Sequence, residues 1–239
     1  MTRRYTTLDG LLRFVQSAAP GYPMGHPTDG DQQVPAMSAV PLTAVPESLC
    51  AFNDLGRCEN PGLAGVHFFK QDSKFSRILE SPCAYVDKFR GFRAVLTPDV
   101  SILDGMAPWQ RSAVVVISRQ IGVVWQEHGL TVIPTLRWRD QHDWETVACG
   151  VPMNSVVAVS CYASTNDREL RYEFDRGLPY MIERLAPQVV IVYGRTNRRI
   201  FRELKPKAEF IERLPPIAHQ LDTRQTQAAP NQDLLPLAA

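Results

Sequence analysis

Five short apolar runs punctuate the middle of the chain. They are GVHFF at Gly65–Phe69, AVLT at Ala94–Thr97, TVIPTL at Thr131–Leu136, SVVAVS at Ser155–Ser160 and VVIVY at Val189–Tyr193. Each is rich in β-branched residues and has no polar alternation, which predicts strands buried on both faces. Ala208–Ile211 is a weaker sixth. The spacing between the runs is helical. Phe75, Ile78 and Leu79 share a face, and Pro82 restarts a helix before Tyr85, Val86 and Phe89. Pro108 suits a helix start, and Ala113, Ile117, Ile121, Val124 and Trp125 form a core-facing stripe that Gly129 ends. Arg111, Arg119 and Gln126 fall on the other side of that helix, the side expected to face solvent. Leu170, Phe174, Leu178, Met181, Ile182 and Leu185 trace another helix, entered from Asn166 with Glu169 completing a capping box. Pro179 is expected to kink or split it.

Strands alternating with helices imply right-handed crossovers and a mostly parallel sheet of five or six βα units. An incomplete (β/α) barrel is preferred over an open doubly wound sheet; the strand-to-helix loops carry more of the polar chemistry, which suits either layout. No G-x-G-x-x-G follows the first strand and no P-loop sequence is present, so neither phosphate-binding fingerprint supports a nucleotide site. The pattern fails at both ends. Residues 1–18 could form a short amphipathic helix, but Pro20 to Pro46 holds six prolines and no apolar periodicity. Such a stretch reads as a linker or extended arm. The expected organisation is a flexible Pro-rich arm over 1–50, an α/β domain over 51–214 and a disordered tail over 215–239.

Composition changes this picture little. Of 239 residues, 44% are hydrophobic and 21% charged, enough for a real core. A net charge of +1 predicts no bulk attraction to nucleic acid or anionic membrane, so such binding needs a local patch. The five cysteines include no Cys-x-x-Cys, which argues against a zinc ribbon or redox pair. Reduced thiols, no signal-peptide core and no apolar run near the ~20 residues of a membrane span point to a cytoplasmic protein without membrane contact.

In parallel sheets ligands bind where the carboxyl ends of the strands meet the helix amino termini. That rule selects His67, Lys70 and Asp72 after the first strand, Asp99 after the second, and Arg137, Trp138 and Asp140 after the third. Cys161, Tyr193 and Arg195 follow the later strands. Asp99 and Asp140 could act as an acid–base pair, and with Asp72 they could bind a divalent metal such as Mg. Arg137 could hold an anion with Trp138 as a flat wall. Helix capping competes for both Asp72 and Asp99, a packed ion pair competes for Arg137, and core packing competes for His67. Cys161 reads as a buried inert thiol, and His142 is a weak metal candidate. A separate basic cluster, Arg195, Arg198, Arg199 and Arg202, shares one face if Thr196–Leu204 is helical, and that face could meet phosphates.

Several motifs carry a resemblance. They are AFN at 51–53, VHFFKQDSKF at 66–75, TPDVSILDGMAPWQ at 97–110, VVWQEHGLTVIPTLRW at 123–138, VPMNSVVAVS at 151–160 and FDRGLPYMIERLAPQVVIVYG at 174–194. In these the chain resembles a family of bacterial, phage and plasmid proteins catalogued as domain of unknown function 4417. The family pattern implies smaller, glycine-containing turns where Arg139 follows Trp138 and where Ser-Cys-Tyr-Ala-Ser follows the fourth strand. Membership implies a phage or mobile-element context and supplies no catalytic residues. Two functions are therefore expected in competition. One is a hydrolase or phosphoryl-transfer enzyme acting on a small polar or phosphorylated ligand through Asp99, Asp140 and Arg137. The other is a non-catalytic protein contacting DNA or a host protein through Arg198, Arg199 and Arg202.

Overall fold

The computed structural model describes residues 21–23, 25–162, 164 and 167–215. The helix expected over 1–18 and nearly all of the tail expected from 215 lie outside these residues. Among the described residues there are ten strands: β1 (Thr28–Asp29), β2 (Val34–Pro35), β3 (Ser48–Ala51), β4 (Ala64–His67), β5 (Ala94–Leu96), β6 (Val132–Ile133), β7 (Thr135–Leu136), β8 (Val156–Ser160), β9 (Val189–Tyr193) and β10 (Glu209–Arg213). The helices are α1 (Ser76–Glu80), α2 (Val86–Phe89), α3 (Pro108–Glu127), α4 (Trp144–Ala148), α5 (Arg168–Leu185) and α6 (Arg199–Leu204).

The expected α/β class with parallel sheets is present. Strands β3-β4-β5-β6 form one four-stranded sheet and β10-β9-β8-β7 another, every ladder parallel. The run Thr131–Leu136, expected as one strand, is divided by Pro134 into β6 and β7. Proline has no N–H for the ladder, and two threonines take over. Thr135 donates its N–H to Thr97 Oγ1, and its own hydroxyl donates to the Thr97 carbonyl, each at 2.9 Å. Besides the two-stranded antiparallel pair β1-β2, the ladders give two four-stranded sheets and no closed ring among the described residues. At the outer strands, Arg213 of β10 donates to the Pro46 carbonyl just before β3, at 2.6 Å from Nη2 and 3.2 Å from Nε. The barrel is therefore not established by the pairing.

Alternate residues of each strand go to opposite faces, as the pleat requires. On one face Ala94, Leu96, Ile133, Val156, Ala158, Val189, Ile191 and Tyr193 join a single apolar cluster shared by both sheets. On the other, Val66, Val95 and Val132 pack under α1, α2 and α3, while Val157, Val159, Val190 and Val192 pack under α5 and α6.

Four local expectations are corrected. Pro179 does not split helix α5, which continues as one helix through it. Its cap is Asp167, whose carboxylate accepts from the Glu169 and Leu170 N–H groups; Asn166 lies outside the described residues. The basic helix expected over Thr196–Leu204 is only Arg199–Leu204, with Arg198 before it rather than within it. The Pro-rich segment is no free linker over its described part. Val34, Met37, Val40 and Ala44 are buried in the core clusters, and the Met37 N–H donates to the Gly150 carbonyl at 2.9 Å. Its prolines hold an extended chain that buries these four apolar residues and leaves Leu42 half exposed.

Candidate functional site

Because β6 runs on into β7, all the long strands point the same way, and the loops after β4, β5, β7, β8 and β9 gather at one end. The middle of that end is filled. His67, 1% exposed, lies 4.7 Å from the Tyr193 ring, and Phe69 stacks on the same ring at 4.9 Å. The His67 Nδ1 accepts the Phe69 N–H at 3.1 Å, so the proton of a neutral imidazole sits on Nε2. Burial, with Tyr162 beside it, pushes the Tyr193 phenol above its ordinary range. These two candidates form an aromatic plug.

The open space lies to one side, between the ends of β7 and β8 and the first turns of α5. It is a cleft of about 60 Å³ walled by Ile102, Leu136 and Leu170, by the Trp138–Phe174 stack, and by Arg137, Arg139, Ser160, Ser164 and Glu173. That volume holds a few water-sized groups. Trp138 is fixed by its indole N–H, which donates to the Glu173 carbonyl at 3.1 Å. It fits against α5 because residue 177 is glycine. A Cβ there would meet the Trp138 Nε1 at 2.3 Å.

Arg137 and Asp99 come together. Arg137 Nη1 donates to Asp99 Oδ2 at 3.1 Å, with the carboxylate 6% exposed and the arginine 34% exposed. No other hydrogen bond engages Arg137 among the described residues, so most of its five donors remain available to the cleft it lines. Asp99 does not itself line the cleft; it stands behind Arg137. Burial raises its pKa, Arg137 opposes that, and the nearby Asp72 carboxylate adds to the rise. Asp72 holds the neighbouring loop by accepting from the Ser101 N–H at 3.2 Å and the Ser101 hydroxyl at 3.1 Å.

Asp140 has other partners. It accepts the His142 N–H at 2.9 Å, capping a short 3₁₀ turn, and pairs with Arg111 at 2.9 Å. Burial alone would raise its pKa, but the His142 N–H and Arg111 outweigh burial and leave it below the ordinary value. Among the described residues no group of three or more His, Cys, Asp or Glu side chains gathers to hold a metal. Asp72, Asp99 and Asp140 therefore do not make the ligand set expected of them. Cys161 is buried, its thiol pushed up to about 11 by that burial.

The basic cluster is divided. Arg198 turns inward to Asp175, donates to the Ser164 hydroxyl at 3.1 Å and lies over the Phe174 ring. Arg199 pairs with Glu203 one turn along α6. Arg195 and Arg202 are exposed.

Sequence reasoning passed over Arg139 and Glu173. Arg139 holds Asp104 through two bonds, at 2.6 and 3.0 Å, and Glu169 at 2.8 Å, tying the loop after β5 to the first turn of α5. Its position directly after the strand-end Trp138 was a usable signal. Glu173 gave none, since a glutamate three residues from an exposed Arg176 reads as a helix-surface pair.

A family model described as Domain of unknown function (DUF4417) matches residues 26–212. The chain is 32% identical over 193 residues to the Gene 1 protein of Mycobacterium phage L5, an alignment covering 80% of this chain and 78% of that protein. It is 29% identical over 178 residues to the Gene 1 protein of Mycobacterium phage D29, covering 72% of this chain and 64% of that one. The match thus spans less than two thirds of the D29 relative. No solved structure matches. No helix among the described residues is long and apolar enough to cross a membrane.

Proposed function

This chain belongs to the DUF4417 family, and we propose that it binds a small phosphorylated or carboxylated ligand at the strand-end cleft, as the substrate of a hydrolase or phosphoryl-transfer reaction. One observation carries the reading. Arg137 stands between a buried carboxylate and an open cleft, with one terminal nitrogen engaged by Asp99 at 3.1 Å and the rest of its fork uncommitted. A guanidinium anchored from behind presents fixed donors to a planar or tetrahedral anion and loses little rotamer freedom on binding it.

Asp99 acts here as a positioning residue. Burial raises its pKa above that of an ordinary aspartate, against the pull of Arg137, so the pair is held where a change of charge in the cleft is felt by both groups. The reading keeps Asp99 and Arg137 and releases Asp140, whose carboxylate is engaged by Arg111 and a turn. The DNA-contact alternative has less behind it, because Arg198 is committed to Asp175 and Arg199 to Glu203.

Two measurements test the proposal. Inorganic phosphate and a panel of phosphate monoesters and carboxylates should raise the unfolding midpoint of the full chain, and R137Q should lose that response. Phosphate release from the monoesters that bind should fall in D99N. A wild-type midpoint indifferent to every anion at ~10 mM would remove the binding claim, since a ligand at ten times Kd shifts stability by roughly 1.4 kcal/mol. Binding without turnover of any bound ester would remove the enzymatic half.

A further inference from the structure

Two residues that line the cleft each carry a buried side-chain atom with no hydrogen-bond partner among the described residues, and the two groups have opposite charge. They are Arg139 Nη1 and Glu173 Oε2. The remaining atoms in that condition belong to Arg111, Arg119 and Trp144, none of which lines this cleft. A buried ionisable atom left unmatched is costly, so a native protein that keeps one has a partner in mind for it: water, an ion or a ligand group.

The surroundings say which ligand group each atom suits. Arg139 uses Nε and Nη2 on Asp104 and Glu169, so Nη1 is the free corner of its fork, on the same cleft as the open donors of Arg137. Glu173 sends Oε1 towards Arg176 at 3.6 Å, beyond hydrogen-bond range, and leaves Oε2 buried. The Trp138 indole sits against the same residue, bonded to its carbonyl. A carboxylate beside an aromatic wall is a favourable place for an ammonium group. The volume of about 60 Å³ admits only a compact molecule.

Resting on the anion-binding reading above, we propose that the ligand carries an amine next to its anionic group, as in a short aminoalkyl phosphate or a small amino acid. Arg137 and Arg139 take the anion, and Glu173 takes the ammonium beside Trp138.

The test uses the full chain and probe pairs differing only in the amine, with affinities read by calorimetry. O-Phosphoethanolamine is compared with n-propyl phosphate, and β-alanine with butyrate. In the pair whose anion binds, the amine member should bind about tenfold more tightly, as a charge-assisted bond to a buried carboxylate implies. E173Q should abolish that advantage and leave the amine-free probe unchanged, whereas R137Q should weaken both. Equal binding of the two members to the wild type, or equal weakening of both by E173Q, would overturn the amine assignment while leaving the anion site intact. Failure of every probe on the wild type would remove both. The wild-type comparison stands even if E173Q folds poorly.

Discussion

Arg119, on the long helix α3, donates to the Thr135 carbonyl at 3.0 Å from a position 1% exposed to solvent. Its other terminal nitrogen donates to the Val147 carbonyl, also at 3.0 Å. The side chain therefore ties α3 to the start of β7 and to α4, beside the break that Pro134 makes. Among the described residues no carboxylate pairs with it, and burial lowers its pKa to about 10, which still leaves it charged at neutral pH. R119A strips donors from two buried carbonyls and opens a cavity, and should lower unfolding free energy by about 2–5 kcal/mol. R119M fills the space without burying a charge and should recover part of that loss. Urea denaturation decides it: an R119A protein as stable as the wild type would show that the carbonyls find other donors.

Asp99 makes stability depend on pH in a particular direction. An acid whose pKa is higher folded than unfolded holds its proton more tightly when folded. Its contribution is complete below the unfolded value, near the ordinary 3.8, and is lost as pH rises through the higher folded value. D99N keeps the shape and an acceptor for Arg137 but does not titrate. The stability advantage of the wild type over D99N should therefore shrink as pH is raised from about 4 towards 7. An advantage growing with pH would mean that Arg137 outweighs burial at this carboxylate.

These two residues also show what the sequence discloses and what it hides. Strands β8 and β9 were legible because both of their faces are buried, leaving unbroken runs of Val, Ile and Ala at Val156–Ser160 and Val189–Tyr193. Arg137 and Asp99 were legible as strand-end groups, and the structure brings them together. A helical wheel puts Arg119 on the solvent side, because it places charge outward and cannot know that backbone carbonyls wait on the inner face. Strand β3 gives no clear signal, since Ser48–Ala51 is short, half-buried and follows the proline-rich stretch. Place in the chain alone pairs Asp140 with Asp99. Its true partner Arg111 lies across a fold that spacing does not encode.

Gly177 gives a third prediction, linking packing to the cleft. A methyl at this position would meet the Trp138 indole nitrogen at 2.3 Å, closer than any relaxed contact allows. Alanine favours helix over glycine by roughly 1 kcal/mol, yet displacing a packed indole costs about 1–3 kcal/mol. G177A should thus be destabilised or at best neutral, and the Trp138 Nε1–H NMR resonance should move as its bond to the Glu173 carbonyl is lost. An unmoved resonance together with raised stability would show that α5 shifts away to make room.

The divided basic cluster supplies the last prediction. Arg198 has 18% of its side chain exposed and is held by Asp175, Ser164 and the Phe174 ring, whereas Arg199 is 85% exposed and has one partner on its own helix. R198A should cost about 1–3 kcal/mol, because it takes the bonded cation from a part-buried carboxylate and leaves Arg171 alone to offset its charge. R199A should stay within about 0.5 kcal/mol of the wild type, the scale of an exposed pair one turn apart. Burial already raises the Asp175 pKa and Arg198 holds it down, so removing the arginine lets it rise further. A raised carboxyl pKa means stability lost as pH climbs, and the R198A deficit should accordingly be larger at pH 8 than at about pH 5. If R198A and R199A cost the same and neither deficit changes with pH, Arg198 is a surface charge, and the four arginines regain a common outward face.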